Sequence, residues 1–240
     1  MITVYLIIFI CIVLFLYYGV PYIYSICARL SLKRKAAGLK VLVLTFDDGP
    51  GNRLTPSVLR LLAENNVKAT FFLLGKNIKG REQIVRQIAE QGHEIYSHGD
   101  EHLNSWKISP IRAIKNIKHG WQAIDHALGS NQGVYPFRPP YGKLTLVCLL
   151  YLLVTNTPVF YWTATAGDTG PKTKRGYKKG ILQITKDGGG VFLAHDNDRI
   201  NPGTELMVLE SIRSVLAMAS EAGMQVVTVS QLLNGGGLTP

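Results

Sequence analysis

The sequence is short of charge and of cysteine. Charged residues fill 18% of its 240 positions, against about 25% in an ordinary soluble domain. Disorder and coiled coil both demand more charge and fewer large apolar side chains, so this balance excludes them. Three cysteines cannot build a disulfide framework, and they leave the redox compartment open. No repeat or low-complexity linker interrupts the chain. Acidic residues are the scarcer sign: 16 Asp and Glu stand against 26 Lys and Arg, for a net charge of +10. That excess points to an anionic partner such as a phosphate or an acidic membrane surface. A nucleic acid is disfavoured, because no aromatic-rich basic motif accompanies the charge.

Charge is missing altogether from Met1 to Ala28. The stretch from Met1 to Val20 is one apolar run, and about 20 such residues let a helix cross the hydrocarbon core. Tyr17, Tyr18, Tyr22 and Tyr24 follow as an interfacial aromatic belt. A cleaved signal peptide would need a basic segment before the run and a small residue before Cys27, where Ile26 stands. The expectation is a single-pass transmembrane anchor over 1–28, a basic juxtamembrane linker over 29–40, and one domain over 41–240. Arg29, Lys33, Arg34 and Lys35 all follow the span, so the positive-inside rule places that domain in the cytoplasm.

From Val41 the pattern alternates. Strands are expected at Val41–Thr45, Ala69–Leu74, Glu94–Ser97, Val134–Phe137, Val159–Thr163, Val191–Ala194 and Gln225–Val229. Between them lie helical patterns, among them Arg81–Gln91, Pro110–Leu128 and Thr204–Ala222. Such alternation implies a parallel sheet with helices outside. Seven strand candidates suggest a closed or nearly closed α/β barrel, whose chemistry sits at the C-terminal strand ends.

Those ends carry the unusual polar strings. Asp47 and Asp48 follow the first strand and point different ways from an extended backbone, so one can bind a metal while the other takes a proton. The bland reading is an Asp-Gly-Pro turn with solvated acids. His98 and His102 follow the third strand at a spacing that puts both on one face of a helical turn. With one Asp they form a three-ligand open site for a divalent ion such as zinc, with cobalt, manganese or iron also fitting. Arg138, stiffened by Pro139 and Pro140, would lower the pKa of a neighbouring carboxylate and orient it. His195, beside a carboxylate, suits a general acid.

The strings TFDDGP, HGDEH, RPPYG, WTATAGD and FLAHD, in that order, resemble the motifs of the polysaccharide deacetylases, the NodB-homology family of metal-dependent carbohydrate esterases. The similarity runs from about Val41 to Leu233. It implies a distorted seven-stranded (β/α) barrel and removal of an N-acetyl or other small acyl group from an amino sugar. By the same resemblance Asp47 is the general base, and Asp48, His98 and His102 hold the metal. Arg138 braces Asp47, and the Tyr141 backbone N–H helps hold the oxyanion. His195 is the general acid, tuned by Asp168. Leu193 lines the acyl pocket, with Tyr141 and Trp162 contacting substrate.

This sequence departs from the family pattern at two positions. Gly99 stands where Ser or Thr usually follows the first histidine, and Thr169 stands where a Trp usually walls the sugar cleft. Asp100 and Glu101 make the histidine turn acidic enough for one of them to approach the metal. Leu144–Val154 is too short to span, and reads as buried core or as a segment dipping into a membrane surface. The basic stretch Lys172–Lys186 is a solvated face or a grip on lipid or sugar phosphates.

Expected partners are therefore an amino-sugar polysaccharide of the cell envelope or a lipid-linked saccharide, plus membrane lipids. Family habit puts the domain outside the cytoplasm, against the positive-inside rule. An O-acetyl carbohydrate esterase and a non-catalytic carbohydrate-binding protein are the competing functions.

Overall fold

A computed structural model describes residues 1–169, 176–200 and 202–235. The uncharged N-terminus is helical: α1 spans Ile2–Leu14, a π-helical turn Phe15–Gly19, and α2 Val20–Leu39. Together they form one helix of 38 residues, long and apolar enough to cross a membrane. The expected linker 29–40 is thus the second half of α2, closed by Lys40 in the left-handed region at φ 55°. Its Leu32 and Ala36 are buried in one cluster with Val41, Val43 and Val191.

The strands are β1 (Val41–Asp47), β2 (Thr70–Leu73), β3 (Glu94–Ser97), β4 (Ala164–Thr165), β5 (Gly190–His195) and β6 (Gln225–Val227). All pair in parallel, in the order β3-β2-β1-β5-β4, with β6 beside the first half of β1. β1 is buried along its whole length, as a strand flanked by parallel neighbours and covered on both faces must be. Its side chains alternate between two cores. Leu42, Leu44 and Phe46 meet the outer helices, while Val41 and Val43 join the α2 cluster.

The helices are α3 (Leu54–Glu64), α4 (Gly75–Ile78), α5 (Glu82–Glu90), α6 (Pro110–Leu128), α7 (Leu146–Val154), α8 (Gly176–Asp187), α9 (Pro202–Glu221) and α10 (Val229–Leu233). α6 starts as its sequence dictates, with Ser109 capping the Arg112 N–H and Pro110 at the first helical position. Gly129 ends it in the left-handed conformation.

Two of the expected strands are not strands. Val134–Phe137 reduces to single bridges from Phe137 to Ser97 and to Val159, and Val159–Thr163 to the second of these. Proline explains both. Pro136 and Pro139 flank Phe137, and Pro158 precedes Val159, so neighbouring ladder N–H groups are absent. The second segment reaches the sheet five residues later, as β4 against β5. The described sheet therefore has six strands, and its circuit is continued past β3 only through Phe137 and Val159.

α7 divides its apolar residues. Cys148, Leu149 and Leu152 are in the core, whereas Val147, Leu150, Leu153 and Val154 are exposed. In the basic stretch, Lys178, Lys179 and Lys186 are exposed on α8, and Lys172, Lys174 and Arg175 lie outside the described residues.

Candidate active site and metal centre

Asp47 is the last residue of β1, and the parallel register sets it beside His195, the last residue of β5. Its Oδ1 accepts from Arg138 Nη1 at 2.6 Å, and its Oδ2 lies 3.8 Å from His98 Nε2. The Arg138 side chain is wholly buried. Nη1 also donates to Thr45 Oγ1 at 3.0 Å and Nη2 to the Tyr161 carbonyl at 3.3 Å, while Cζ lies 3.8 Å from the Phe72 ring centroid. A planar fork held on several acceptors and stacked on a ring has little freedom, and it fixes the carboxylate it grips. Burial pushes the Asp47 carboxyl above the ordinary range, and Arg138 and then His195 pull it back only in part. Arg138 thus lowers the Asp47 pKa as expected, but loss of hydration outweighs the guanidinium and the net shift is upward.

Asp48 leaves the strand with φ 70°. Its carbonyl accepts from Asn77 Nδ2 at 2.7 Å. Asp48 Oδ1 lies 3.6 Å from His98 Nε2 and 3.7 Å from His102 Nε2. The three side chains present donor atoms all within 4.8 Å of one another. His98 Nδ1 sits 2.7 Å from the Arg138 carbonyl oxygen, an acceptor, which assigns the proton to Nδ1 and frees Nε2 as a ligand. Burial lowers the His98 pKa to about 3, so the ring is neutral. Asp48 Oδ1 is itself buried without a hydrogen-bond partner. An orphaned carboxylate oxygen facing two imidazoles is the environment that a divalent cation completes, and one oxygen with two nitrogens suits zinc. Asp100 and Glu101 do not belong to this group; the Asp100 carboxylate packs against Gly75 instead.

His195 is held from behind. Its Nδ1 lies 2.8 Å from Asp168 Oδ1, and its backbone N–H donates to Asp168 Oδ2 at 2.9 Å. Burial pulls the imidazole pKa down, but Asp168 and then Asp47 raise it, and the net is upward. Burial likewise raises Asp168, yet His195 and Arg199 hold it below the usual carboxylate value.

Asp47, Asp48, both triad imidazoles and His195 open into one cavity of about 310 Å³. Tyr141, Trp162, Thr169 and Leu193 wall it. Tyr141 is in the left-handed region at φ 58°, and its ring meets His102 edge-on at 4.4 Å. Arg138 and Asp168 stand behind the cavity rather than in it. Thus the expected site residues are brought together, with two gripping the others from outside.

Sequence reasoning missed Asn77, which holds Asp48, and Asn116. Asn116 Oδ1 accepts the Glu101 N–H at 2.8 Å, and its Nδ2 donates to the Glu101 carbonyl at 2.9 Å, so α6 fixes the turn between the two histidines. No local signal marks either residue, because each acts on a partner far away in the chain.

A model of the polysaccharide deacetylase family matches residues 34–152. The peptidoglycan-N-acetylglucosamine deacetylase PgdA of Listeria monocytogenes is 29% identical over 200 residues, which are 82% of this chain and 40% of that protein. This chain therefore spans well under half the length of that relative. A chitooligosaccharide deacetylase of Sinorhizobium fredii is 44% identical over 166 residues, covering 69% of this chain and 76% of the relative. The solved structure of peptidoglycan deacetylase PdaC from Bacillus subtilis matches with a TM-score of 0.63 at 27% identity, covering 82% of this chain and 91% of that one.

Proposed function

We propose, from the premise that this chain belongs to the polysaccharide deacetylase family, that it hydrolyses an N-acetyl or other small N-acyl group from an amino sugar. The substrate is a cell-envelope polysaccharide or a lipid-linked saccharide, and the apolar N-terminal helix is a single-pass membrane anchor. One observation carries the reading: Asp47 and His195 lie in register at the ends of β1 and β5, in one cavity with Asp48, His98 and His102. The relatives support N-acetylglucosamine as the sugar, because the names they carry are peptidoglycan-N-acetylglucosamine deacetylase and chitooligosaccharide deacetylase.

Asp48, His98 and His102 would hold one divalent ion, which when bound polarises the acyl carbonyl and acidifies a water. Asp47 takes the proton of the attacking water, and burial, by raising its pKa above that of a free carboxyl, makes it the stronger base. Arg138 keeps the Asp47 carboxylate aimed. The Tyr141 N–H donates to the oxygen that gains charge as the carbonyl carbon becomes tetrahedral. His195, kept protonated by Asp168, gives its proton to the sugar nitrogen as the C–N bond breaks. The products are a carboxylate and a free amino sugar. Leu193 faces the acyl methyl, and Trp162 lines the sugar side. The six described strands, with the Phe137 and Val159 bridges, make a distorted (β/α) barrel the reading for the whole domain.

The test is amine release from N-acetylchitotetraose by the full chain loaded with zinc. Release by the native protein and its loss in Asp47→Asn are expected. Equal activity in Asp47→Asn overturns the mechanism. Faster cleavage of a matched O-acetyl ester replaces the amidase reading with an esterase.

A further inference from the structure

Arg29 belongs to α2 and to none of the catalytic strings, yet its guanidinium stacks on Trp162, a wall of the cavity. Its Cζ lies 4.1 Å from the Trp162 ring centroid and 5.2 Å from that of Tyr161. Nη1 donates to the Trp162 carbonyl at 3.3 Å. Gly142, next to Tyr141, makes this approach possible. A Cβ there would come within 2.6 Å of Arg29 Nη2 and 3.2 Å of the Trp162 ring, and the glycine φ is +65°.

Among the described residues Arg29 forms no ion pair. None of its nitrogens is a buried unpartnered atom, and the half-buried side chain keeps some contact with water. A guanidinium stripped of water on one side by two aromatic rings, and lacking a carboxylate, is suited to a phosphate. Lys143, the residue after Gly142, is a second cation, with its ammonium 4.5 Å from the Trp106 ring centroid.

The same helix fixes the height of this group above a bilayer. Residues 1–16 are exposed, and packing onto the domain begins at Tyr17. Tyr18 meets Trp106 edge-on at 5.3 Å, and the π-helical turn lies against α7. On α7, Val147, Leu150 and Val154 present an apolar stripe at helical spacing, with Val154 83% exposed. That stripe therefore sits at the level where the apolar run ends. Arg29 follows Val20 by nine residues, about 13 Å along the axis at 1.5 Å per residue. The headgroup layer is roughly 5–7 Å deep, so the cavity mouth stands about one sugar-phosphate unit beyond it.

We propose that the substrate is an amino sugar joined through phosphate to a membrane lipid, and that Arg29 binds that phosphate at the cavity mouth. The proposal rests on the deacylase reading above and selects one of its two substrate classes. It also gives the α7 stripe an occupant, the bilayer surface that carries the substrate.

The experiment compares kcat/KM of the full zinc-loaded chain on three substrates: polyprenyl-diphospho-N-acetylglucosamine in detergent micelles, water-soluble N-acetylglucosamine 1-phosphate, and neutral N-acetylchitotetraose. The native protein is expected to prefer the lipid diphosphate over chitotetraose by at least tenfold. Arg29→Ala should reduce that preference ratio at least tenfold, chiefly through KM, with Arg29→Lys recovering part of it. Arg29→Lys carries the test if the alanine variant does not fold. An unchanged ratio in both variants overturns the role of Arg29, since a merely structural residue lowers both rates alike. Equal or better use of chitotetraose overturns the substrate class, and equal use of the soluble phosphate overturns its lipid part. Absence of amine from all three sinks the deacylase reading itself, and this proposal with it.

Discussion

Asp168 holds His195 twice, through the imidazole Nδ1 at 2.8 Å and through the backbone N–H at 2.9 Å. The doubled grip fixes the ring's orientation and keeps its proton. Its counterpart across the register is Asp47, gripped by Arg138 at 2.6 Å. Each group proposed to move a proton is therefore braced by an opposite charge behind the cavity.

The pH profile should report this brace. Asp168 raises the His195 pKa, so the imidazole stays protonated to higher pH than a free one. In Asp168→Asn that support is lost and the alkaline fall of kcat moves to lower pH. General acid catalysis contributes roughly 10²–10⁴-fold, so kcat at pH 8 should drop by about 10²-fold or more. A profile of kcat from pH 5 to 10 decides it. An alkaline limb that stays in place separates Asp168 from His195.

Arg138→Met should unfold the protein more readily than it impairs any single contact. It leaves the buried Asp47 carboxylate with its guanidinium partner gone. Breaking a buried pair on one side costs about 3–5 kcal/mol. Urea denaturation at pH 7 measures the loss. Lowering the pH should narrow the gap to the native protein, because the unpaired Asp47 then takes up a proton.

Metal content is separable from activity. His98→Ala and His102→Ala each remove one nitrogen from the triad around Asp48. Zinc per chain, by mass spectrometry after dialysis, should fall from one to well below it in both. Chelation of the native protein should lower its melting temperature, since an ion at 1,000 times its Kd contributes about 4 kcal/mol. Retention of zinc by both variants would put the ion elsewhere.

Much of the site was legible because each of its strings is local and stands at a strand end. Asp47–Asp48, His98–His102 and Ala194–His195 need only the β1, β3 and β5 assignments to converge. The supporting residues were not legible. Asn77, Asn116 and Arg29 act on partners that only the tertiary fold brings near. The strands at Phe137 and Val159 were over-read for the opposite reason: their apolar runs look like strands, but prolines remove the donors that a ladder needs. The effect of burial on Asp47 also escaped a reading that saw only the neighbouring arginine.

Gly99 shows a departure from family habit becoming intelligible in three dimensions. It has φ +89°, and a Cβ there would come within 2.5 Å of Asn116 Nδ2. Gly120 on α6 lies equally close, since its own Cβ would meet the Gly99 carbonyl carbon at 2.6 Å. Helix α6 thus approaches the histidine turn too closely for a side chain at either position, and Asn116 takes over the fixing of the turn. Gly99→Ser, which restores the residue usual in the family, should therefore destabilise the protein. Left-handed strain in a non-glycine residue costs of order 1–3 kcal/mol, and displacement of Asn116 adds to it. Thermal melting of Gly99→Ser and Gly99→Ala measures the effect, and the two should fall together because the clash begins at Cβ. A serine variant as stable as the native protein, with alanine destabilised, would instead mean that the hydroxyl finds a place in the turn.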